Sequence, residues 1–264
     1  MRSPTITARW TALPRTVSCT GFVKGSSKPS TTFDSSPPVN PVESRLSVEW
    51  LGRVAYSEGL EVQAKAVEGR QNSVSGDRLL LLEHPPVITL GRNTREANLL
   101  VSREILAARG IGLHEVSRGG DVTYHAPGQL VGYLIVDLAA RGELDVHHFL
   151  RRMESALIEA LERLGLRGRS VVGRTGVFMA EEREGEGLAQ RKIASIGIGL
   201  QRWVTYHGFA LNVTLDLSGF DGIVPCGLKD VEMTSVGREL GCGPLGLDER
   251  VRQEIARTFG RAFA

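Results

Sequence analysis

At 264 residues, 41% hydrophobic and 23% charged, the chain has the size of one large domain or two small ones and the composition of a globular protein. No run approaches 18 consecutive apolar residues, which excludes a hydrophobic spanning helix. The net charge of +2 hides an asymmetry, with +4 on residues 1–45 and −2 on the rest, so neither nucleic acid nor a membrane is expected as a partner.

Residues 1–45 are rich in Ser, Thr and Pro and contain no acid before Asp34. Such a composition does not pack a core. We expect an N-terminal extension, disordered or targeting, followed by a catalytic domain over 46–264. A basic, hydroxyl-rich, acid-poor segment of this kind fits organelle transit. The chain is therefore expected in the cytoplasm or, if 1–45 is a transit segment, in a mitochondrion or plastid. Three cysteines (Cys19, Cys226, Cys242) without paired spacing do not form a disulfide framework, and a reducing compartment fits best. With no Cys-x-x-Cys or His-Glu-x-x-His, the sequence signals no metal site.

Beyond the extension, the spacing predicts a strand over 47–51 and a helix over 55–70 with Leu60, Ala64 and Val67 on its inner side. An apolar strand over 78–82 ends at Glu83-His84-Pro85-Pro86, and a short strand over 87–90 precedes Gly91. Ser102 can cap a helix running to Arg109, with Gly110 as its stop. Residues 118–130, Arg-Gly-Gly-Asp-Val-Thr-Tyr-His-Ala-Pro-Gly-Gln-Leu, should form a shaped polar loop outside any regular element, leading into an apolar strand over 130–138. Asp145 can cap a helix in which Phe149, Met153, Leu157, Leu161 and Leu164 recur at core spacing before Gly165. Strands over 177–180, 192–200 and 203–213 should pair antiparallel, the first two joined by a charged hairpin at 181–188. A last helix covers 248–259, with Val251, Ile255 and Phe259 facing inward. The fold class is α+β, a two-layer sandwich in which helices flank one face of a mixed, largely antiparallel sheet.

Lysine usage points toward chemistry. Of 32 basic residues only five are Lys, and three of these, Lys65, Lys192 and Lys229, lie beyond the extension. Arginine cannot lose its proton, whereas a desolvated lysine can act as a base. Lys65 falls on a helix surface. Lys192 opens a strand interrupted by Gly197 and Gly199, and Lys229 lies three residues past Cys226. Cys226 stands between Pro225 and Gly227, a tight turn able to present a sulfur to a cleft. A neighbouring ammonium would favour its thiolate. Either lysine could serve, while Cys242 has no obvious base. His147 and His148 open a helix and receive no role.

Five segments carry a specific resemblance in chain order: Glu83-His-Pro-Pro-Val-Ile-Thr-Leu-Gly91, Arg118-Gly-Gly-Asp-Val-Thr-Tyr-His125, Lys192-Ile-Ala-Ser-Ile-Gly197, His207-Gly-Phe-Ala-Leu-Asn-Val213 and Pro225-Cys-Gly-Leu228. Over about 47–240 the chain resembles the lipoyl(octanoyl) transferases, whose fold resembles the catalytic core of biotin- and lipoate-protein ligases. It departs at Ala126, where the family usually has Gly, and at Leu134, where Pro is common. The resemblance implies transfer of octanoyl from octanoyl-acyl carrier protein to a lysine of lipoyl domains, those of 2-oxoacid dehydrogenases and the glycine cleavage H protein. This transfer is the first step of endogenous lipoate biosynthesis.

The resemblance further implies Cys226 as nucleophile, through a thioester acyl-enzyme, with Lys192 rather than Lys229 as its partner. Acyl contacts would come from Arg118, Gly119, Gly120, Asp121, Val122, Thr123, Tyr124 and His125, from Ser195, Ile196 and Gly197, and from Gly208, Phe209 and Ala210. His84, Tyr124 and His125 would frame the entrance, and backbone N–H groups near Gly197 or Cys226 would hold the oxyanion. No cofactor, ATP or metal is expected, and the enzyme is expected to act as a monomer. Three rivals remain: an ATP-dependent ligase on the same fold, a non-catalytic carrier-binding module, and a thiol protease. The absence of a P-loop, the retention of both Cys226 and Lys192, and the lack of a Cys–His–Asn set count against each in turn.

Overall fold

The computed structural model describes residues 46–180, 190–228, 230–241, 243 and 245–264. The chain runs β1 (Leu46–Arg53), α1 (Tyr56–Gln71), β2 (Asp77–Glu83), β3 (Val87–Leu90), α2 (Arg103–Ala108), β4 (Gly112–Glu115), β5 (Thr123–His125) and β6 (Gln129–Ile135). It continues α3 (Val146–Arg163), β7 (Gly168–Val171), β8 (Arg174–Met179), β9 (Gln190–Gln201), β10 (Val204–Asn212), β11 (Val231–Met233), α4 (Val236–Leu240) and α5 (Leu247–Ala262). The main sheet has the order β1-β2-β6-β10-β9-β8-β7, with β11 also paired to β9. Among the described residues, its parallel pairs are β1/β2 and β9/β11 and its other pairs are antiparallel. A second sheet, β4-β3-β5, carries the polar segment after Arg118.

The caps behave as their chemistry requires. Asp145 Oδ1 accepts from the His148 N–H at 3.0 Å, Ser102 Oγ accepts from the Ile105 N–H at 3.4 Å, and Gly165 takes a left-handed φ of 89° after α3. Phe149, Met153, Leu157 and Leu161 bury one face of α3 against the sheet and α5, where Val251, Ile255, Phe259 and Phe263 meet them. Strand β2 explains its own unbroken apolar run. Leu79 and Leu81 point toward the α3/α5 side, while Leu80 and Leu82 join Val131, Tyr133, Ile135, Ala66 and Val67 on the other.

The α+β architecture of a mixed sheet flanked by helices is therefore observed, with one difference in placement. Helix α1 packs on the face opposite α3 and α5, so the sheet is covered on both sides. The inner face of α1 also differs from the expected Leu60–Ala64–Val67 line: Ala64 is exposed, and Tyr56, Gly59, Gln63, Ala66 and Val67 are buried. Polar Gln63 turns inward because its Oε1 accepts from the His207 N–H at 2.7 Å. Residues 123–125, expected in a loop, form β5 by pairing with Val87–Thr89. The predicted hairpin at 181–188 lies outside the described residues.

Candidate active site

The turn Pro225–Gly227 holds Cys226 at φ 55°, ψ 17°, a left-handed conformation that is strained for any residue with a Cβ. Its N–H donates to the Val122 carbonyl at 3.0 Å, which pins the turn to the loop before β5. Gly227 follows at φ 70°, and a Cβ there would lie 2.7 Å from Asp121 Oδ2. Asp121 is itself fixed, accepting from the Val122 N–H at 2.7 Å and from Asn98 Nδ2 at 2.5 Å.

Lys192 reaches this turn from β9. The residue is 2% exposed, and its Nζ donates to the Thr175 carbonyl at 3.0 Å and to Cys226 Sγ at 3.3 Å. Ser195 Oγ lies 3.7 Å from the same sulfur. Burial alone would raise the Cys226 thiol, but the Lys192 ammonium, the Ser195 hydroxyl and the Arg118 guanidinium outweigh it. The net pKa is below the ordinary thiol value. Arg118 is locked by Thr89: its Nη2 donates to the Thr89 carbonyl at 2.9 Å and to Thr89 Oγ1 at 2.8 Å. Burial lowers the Arg118 pKa, opposed by Cys226, Tyr56 and Asp121.

The sulfur and the amine open onto a cavity of about 240 Å³. Its floor is the middle of the main sheet. Ser195 on β9 lies opposite Ala210 on β10, which lies opposite Val131 on β6, and Gly197, Gly208 and Tyr133 form the next such row. The opposing wall is the 118–125 segment, fastened to β9 where the Gly119 N–H donates to the Ile198 carbonyl at 2.8 Å.

A cluster of rings lines the β6 side of the cavity. His84 Nδ1 lies 2.8 Å from the Val54 carbonyl, which only accepts, so Nδ1 carries the proton and Nε2 accepts from the Tyr133 hydroxyl at 2.8 Å. His125 Nδ1 meets Gln129 Oε1 at 2.7 Å, while Gln129 Nε2 donates to the Tyr124 carbonyl and to Asn212 Oδ1. Burial, aided by His84, pushes the His125 pKa down to about 3. Burial with Arg118 and Arg92 pushes His207 down to about 3, so both imidazoles are neutral at pH 7. His207 also has φ 57°, a second strained position on the cavity wall.

Of the residues singled out from the sequence, Cys226, Lys192, Arg118, Gly120, Asp121, Thr123, His125, Ser195, Ile196, Gly197, Gly208, Phe209 and Ala210 all line this cavity. Three do not. Gly119 packs behind it, Val122 belongs to a separate apolar cluster with Ile88 and Leu106, and Tyr124 stacks edge-on against Phe220 at 5.5 Å. Val122 and Tyr124 turn away because the extended chain through β5 alternates its side chains between two faces, with Thr123 and His125 on the cavity side. His84 frames no entrance, being fully buried behind Tyr133. The Cys226 N–H, bonded to Val122, offers no oxyanion contact. Lys65 is exposed on α1, and Lys229 and Cys242 lie outside the described residues.

Tyr56, Tyr133, Thr175 and His207 line the site without having been assigned to it. The phenol inside the apolar run of β6 was a visible signal for Tyr133, and His207 opens a segment already quoted for its resemblance. Among the described residues no cluster of three or more His, Cys, Asp or Glu could hold a metal ion.

Comparison with known proteins bears on family and fold. The lipoyl protein ligase A/B catalytic domain matches residues 55–260. The chain is 49% identical over 224 residues to the octanoyltransferase of Acidobacterium capsulatum, covering 83% of this chain and 90% of that one. It is 48% identical over 214 residues to the octanoyltransferase of Koribacter versatilis, covering 81% and 82%. Among solved structures, lipoate-protein ligase A bound with ATP superposes with a TM-score of 0.60 at 19% identity, over 83% of this chain and 84% of that one. A putative lipoate protein ligase from T. acidophilum gives 0.61 at 16%, over 82% and 84%. These two share the fold. Family match and sequence identity together place the chain in the lipoyl protein ligase A/B catalytic-domain family, among its octanoyltransferases, which are acyltransferases.

Proposed function

We propose that this octanoyltransferase takes its acyl group from the phosphopantetheine thioester of octanoyl-acyl carrier protein. It holds the group as a thioester on Cys226 and delivers it to a lysine of lipoyl domains. The observation that carries this reading is the 3.3 Å contact between Lys192 Nζ and Cys226 Sγ at the wall of the cavity.

The steps balance. The Cys226 thiolate attacks the octanoyl carbonyl, and the phosphopantetheine sulfur leaves and takes a proton from the Lys192 ammonium. The acceptor lysine then attacks the Cys226 thioester as a free amine. Lys192, now neutral, takes the proton lost by that amine, and Cys226 departs as thiolate, which restores the starting pair. A thioester is already activated and an amide is the more stable acyl form, so no ATP or metal is called for.

The acyl chain crosses the sheet floor from Ser195 over Ala210 and Gly208 toward Tyr133. Two inter-strand steps amount to about 9.5 Å. Seven C–C bonds of about 1.5 Å each, shortened by their zigzag, reach roughly as far. Six buried methylenes at about 0.8 kcal/mol each contribute roughly 5 kcal/mol of affinity. A Cβ at Gly197 would meet the Gly119 carbonyl oxygen at 2.8 Å and one at Gly208 the Gly132 carbonyl oxygen at 2.2 Å, so both positions along this floor require glycine for close backbone approach.

Intact-mass spectrometry after incubation with octanoyl-acyl carrier protein, without ATP, tests the proposal. One octanoyl adduct is expected on Cys226, discharged on addition of a lipoyl domain. Transfer that strictly requires ATP and free octanoate would replace this reading with a ligase.

A further inference from the structure

Lys192 is aimed by a piece of backbone that the proposed chemistry does not touch. Registered pairing of β8 with β9 starts at Val177 opposite Ala194 and slips by one residue before Phe178 meets Lys192. Just ahead of that bulge, the Thr175 carbonyl accepts the hydrogen bond from Lys192 Nζ. Gly176 follows with φ 122°, and a Cβ there would come within 2.5 Å of the Ala194 carbonyl oxygen and 2.8 Å of Lys192 Cε.

The Gly176 N–H leaves the sheet altogether. It donates to Glu154 Oε1 at 3.0 Å. Glu154 lies on α3 beside Met153, on the face that otherwise buries apolar side chains, and is 1% exposed. Its other oxygen accepts from Arg151. A carboxylate is costly in such a place unless its hydrogen bonds are specific. Alanine or leucine would continue the core stripe.

We infer that Glu154 is a positioning residue: by holding the Gly176 N–H it fixes the Thr175 carbonyl, which in turn aims Lys192 Nζ at Cys226 Sγ. The link runs α3 to β8 to β9 to the cysteine turn, with each step a hydrogen bond. The inference rests on the proposed partnership of Cys226 and Lys192. The charged groups facing the sulfur are Lys192 and Arg118, with Asp121 beyond Gly227, and the one paired with Glu154 is Arg151.

The test reads the pH at which Cys226 alkylation by iodoacetamide reaches half its maximal rate, followed at the Cys226 peptide by mass spectrometry. Lys192→Met should raise this midpoint by about 1–3 pH units. Glu154→Ala should raise it by a smaller amount, about 0.5–1 unit. Glu154→Asp, which draws the acceptor back by one methylene, should fall between parent and Glu154→Ala. Glu154→Gln keeps an oxygen for the Gly176 N–H and should keep the parent midpoint.

If Glu154→Ala does not fold, the Asp and Gln variants decide. An unmoved midpoint in the Asp and Ala variants, with Lys192→Met shifted, overturns the inference and leaves the partnership standing. So does a rise in Glu154→Gln equal to that in Glu154→Ala, because charge and not the hydrogen bond would then be responsible. An unmoved midpoint in Lys192→Met removes the partnership itself.

Discussion

Lys192 and Cys226 stand 34 positions apart in the chain, yet the amine of one lies 3.3 Å from the sulfur of the other. The amine approaches from a strand in the middle of the sheet and the sulfur from a strained turn outside it. Burial of Lys192 to 2% exposure keeps water from weakening the contact.

Replacing either partner should stop the reaction in different ways. Cys226→Ser should show no octanoyl adduct by intact mass and no transfer to a lipoyl domain. Lys192→Ala should lose about 10²–10⁴-fold in transfer rate, the usual contribution of a positioned acid–base group. Lys229→Ala should stay close to the parent. Full activity of Cys226→Ser would end the covalent mechanism.

The cavity histidines set an acid limit on stability. His125 and His207 have folded pKa values near 3, against 6.5 for the free side chain. A group depressed on folding binds its proton more readily when unfolded, so its stabilisation is complete above about pH 6.5 and is lost as the pH falls toward 3. Each histidine contributes a slope of about 1.4 kcal/mol per pH unit, so the two together cost roughly 5 kcal/mol by pH 4.5. Urea titrations between pH 7 and 4.5 should show this decline. In His207→Asn the slope should drop by about one histidine's share, and an unchanged slope would mean that His207 is not neutral in the folded protein.

Tyr133 should set the acyl length. Its hydroxyl is anchored on His84 Nε2, which fixes the phenol at the β6 side of the floor. Tyr133→Leu removes the ring and keeps the site apolar. The ratio of kcat/KM for dodecanoyl over octanoyl donors should rise about tenfold or more, the scale on which a hydrophobic pocket discriminates by size. An unchanged ratio would place the end of the acyl site elsewhere.

Gly227→Ala tests the turn. The left-handed φ alone costs about 1–2 kcal/mol for a residue with a Cβ, and the new methyl group would also press on Asp121 Oδ2 at 2.7 Å. Thermal unfolding should show the loss of stability. The alkylation midpoint of Cys226 should rise as the sulfur moves off Lys192. A variant with unchanged alkylation would show that the turn tolerates the shift.

Local chemistry was enough to read much of the scaffold. The caps at Asp145 and Ser102, the apolar stripe of α3 and the apolar strand β2 follow from short-range pattern, and each is found where the pattern puts it. Strand β5 escaped notice because three residues carry no period, and its pairing with β3 is a long-range event. The inner face of α1 was misread because Gln63 is buried to serve the His207 N–H, 144 positions away. Glu154 could not be distinguished from an ordinary charge on a helix.

By itself the sequence determined the element types, the chemical groups available, and, through its five ordered segments, the resemblance that singled out Cys226 and Lys192. Only the tertiary structure decided that Tyr56, Tyr133 and His207 share their cavity, that Tyr124 and Val122 turn away from it, and that α1 covers the second face of the sheet. The physical reason is range. Periodicity and capping act over a few residues, whereas a cavity is made by side chains that strand pairing brings together from distant parts of the chain.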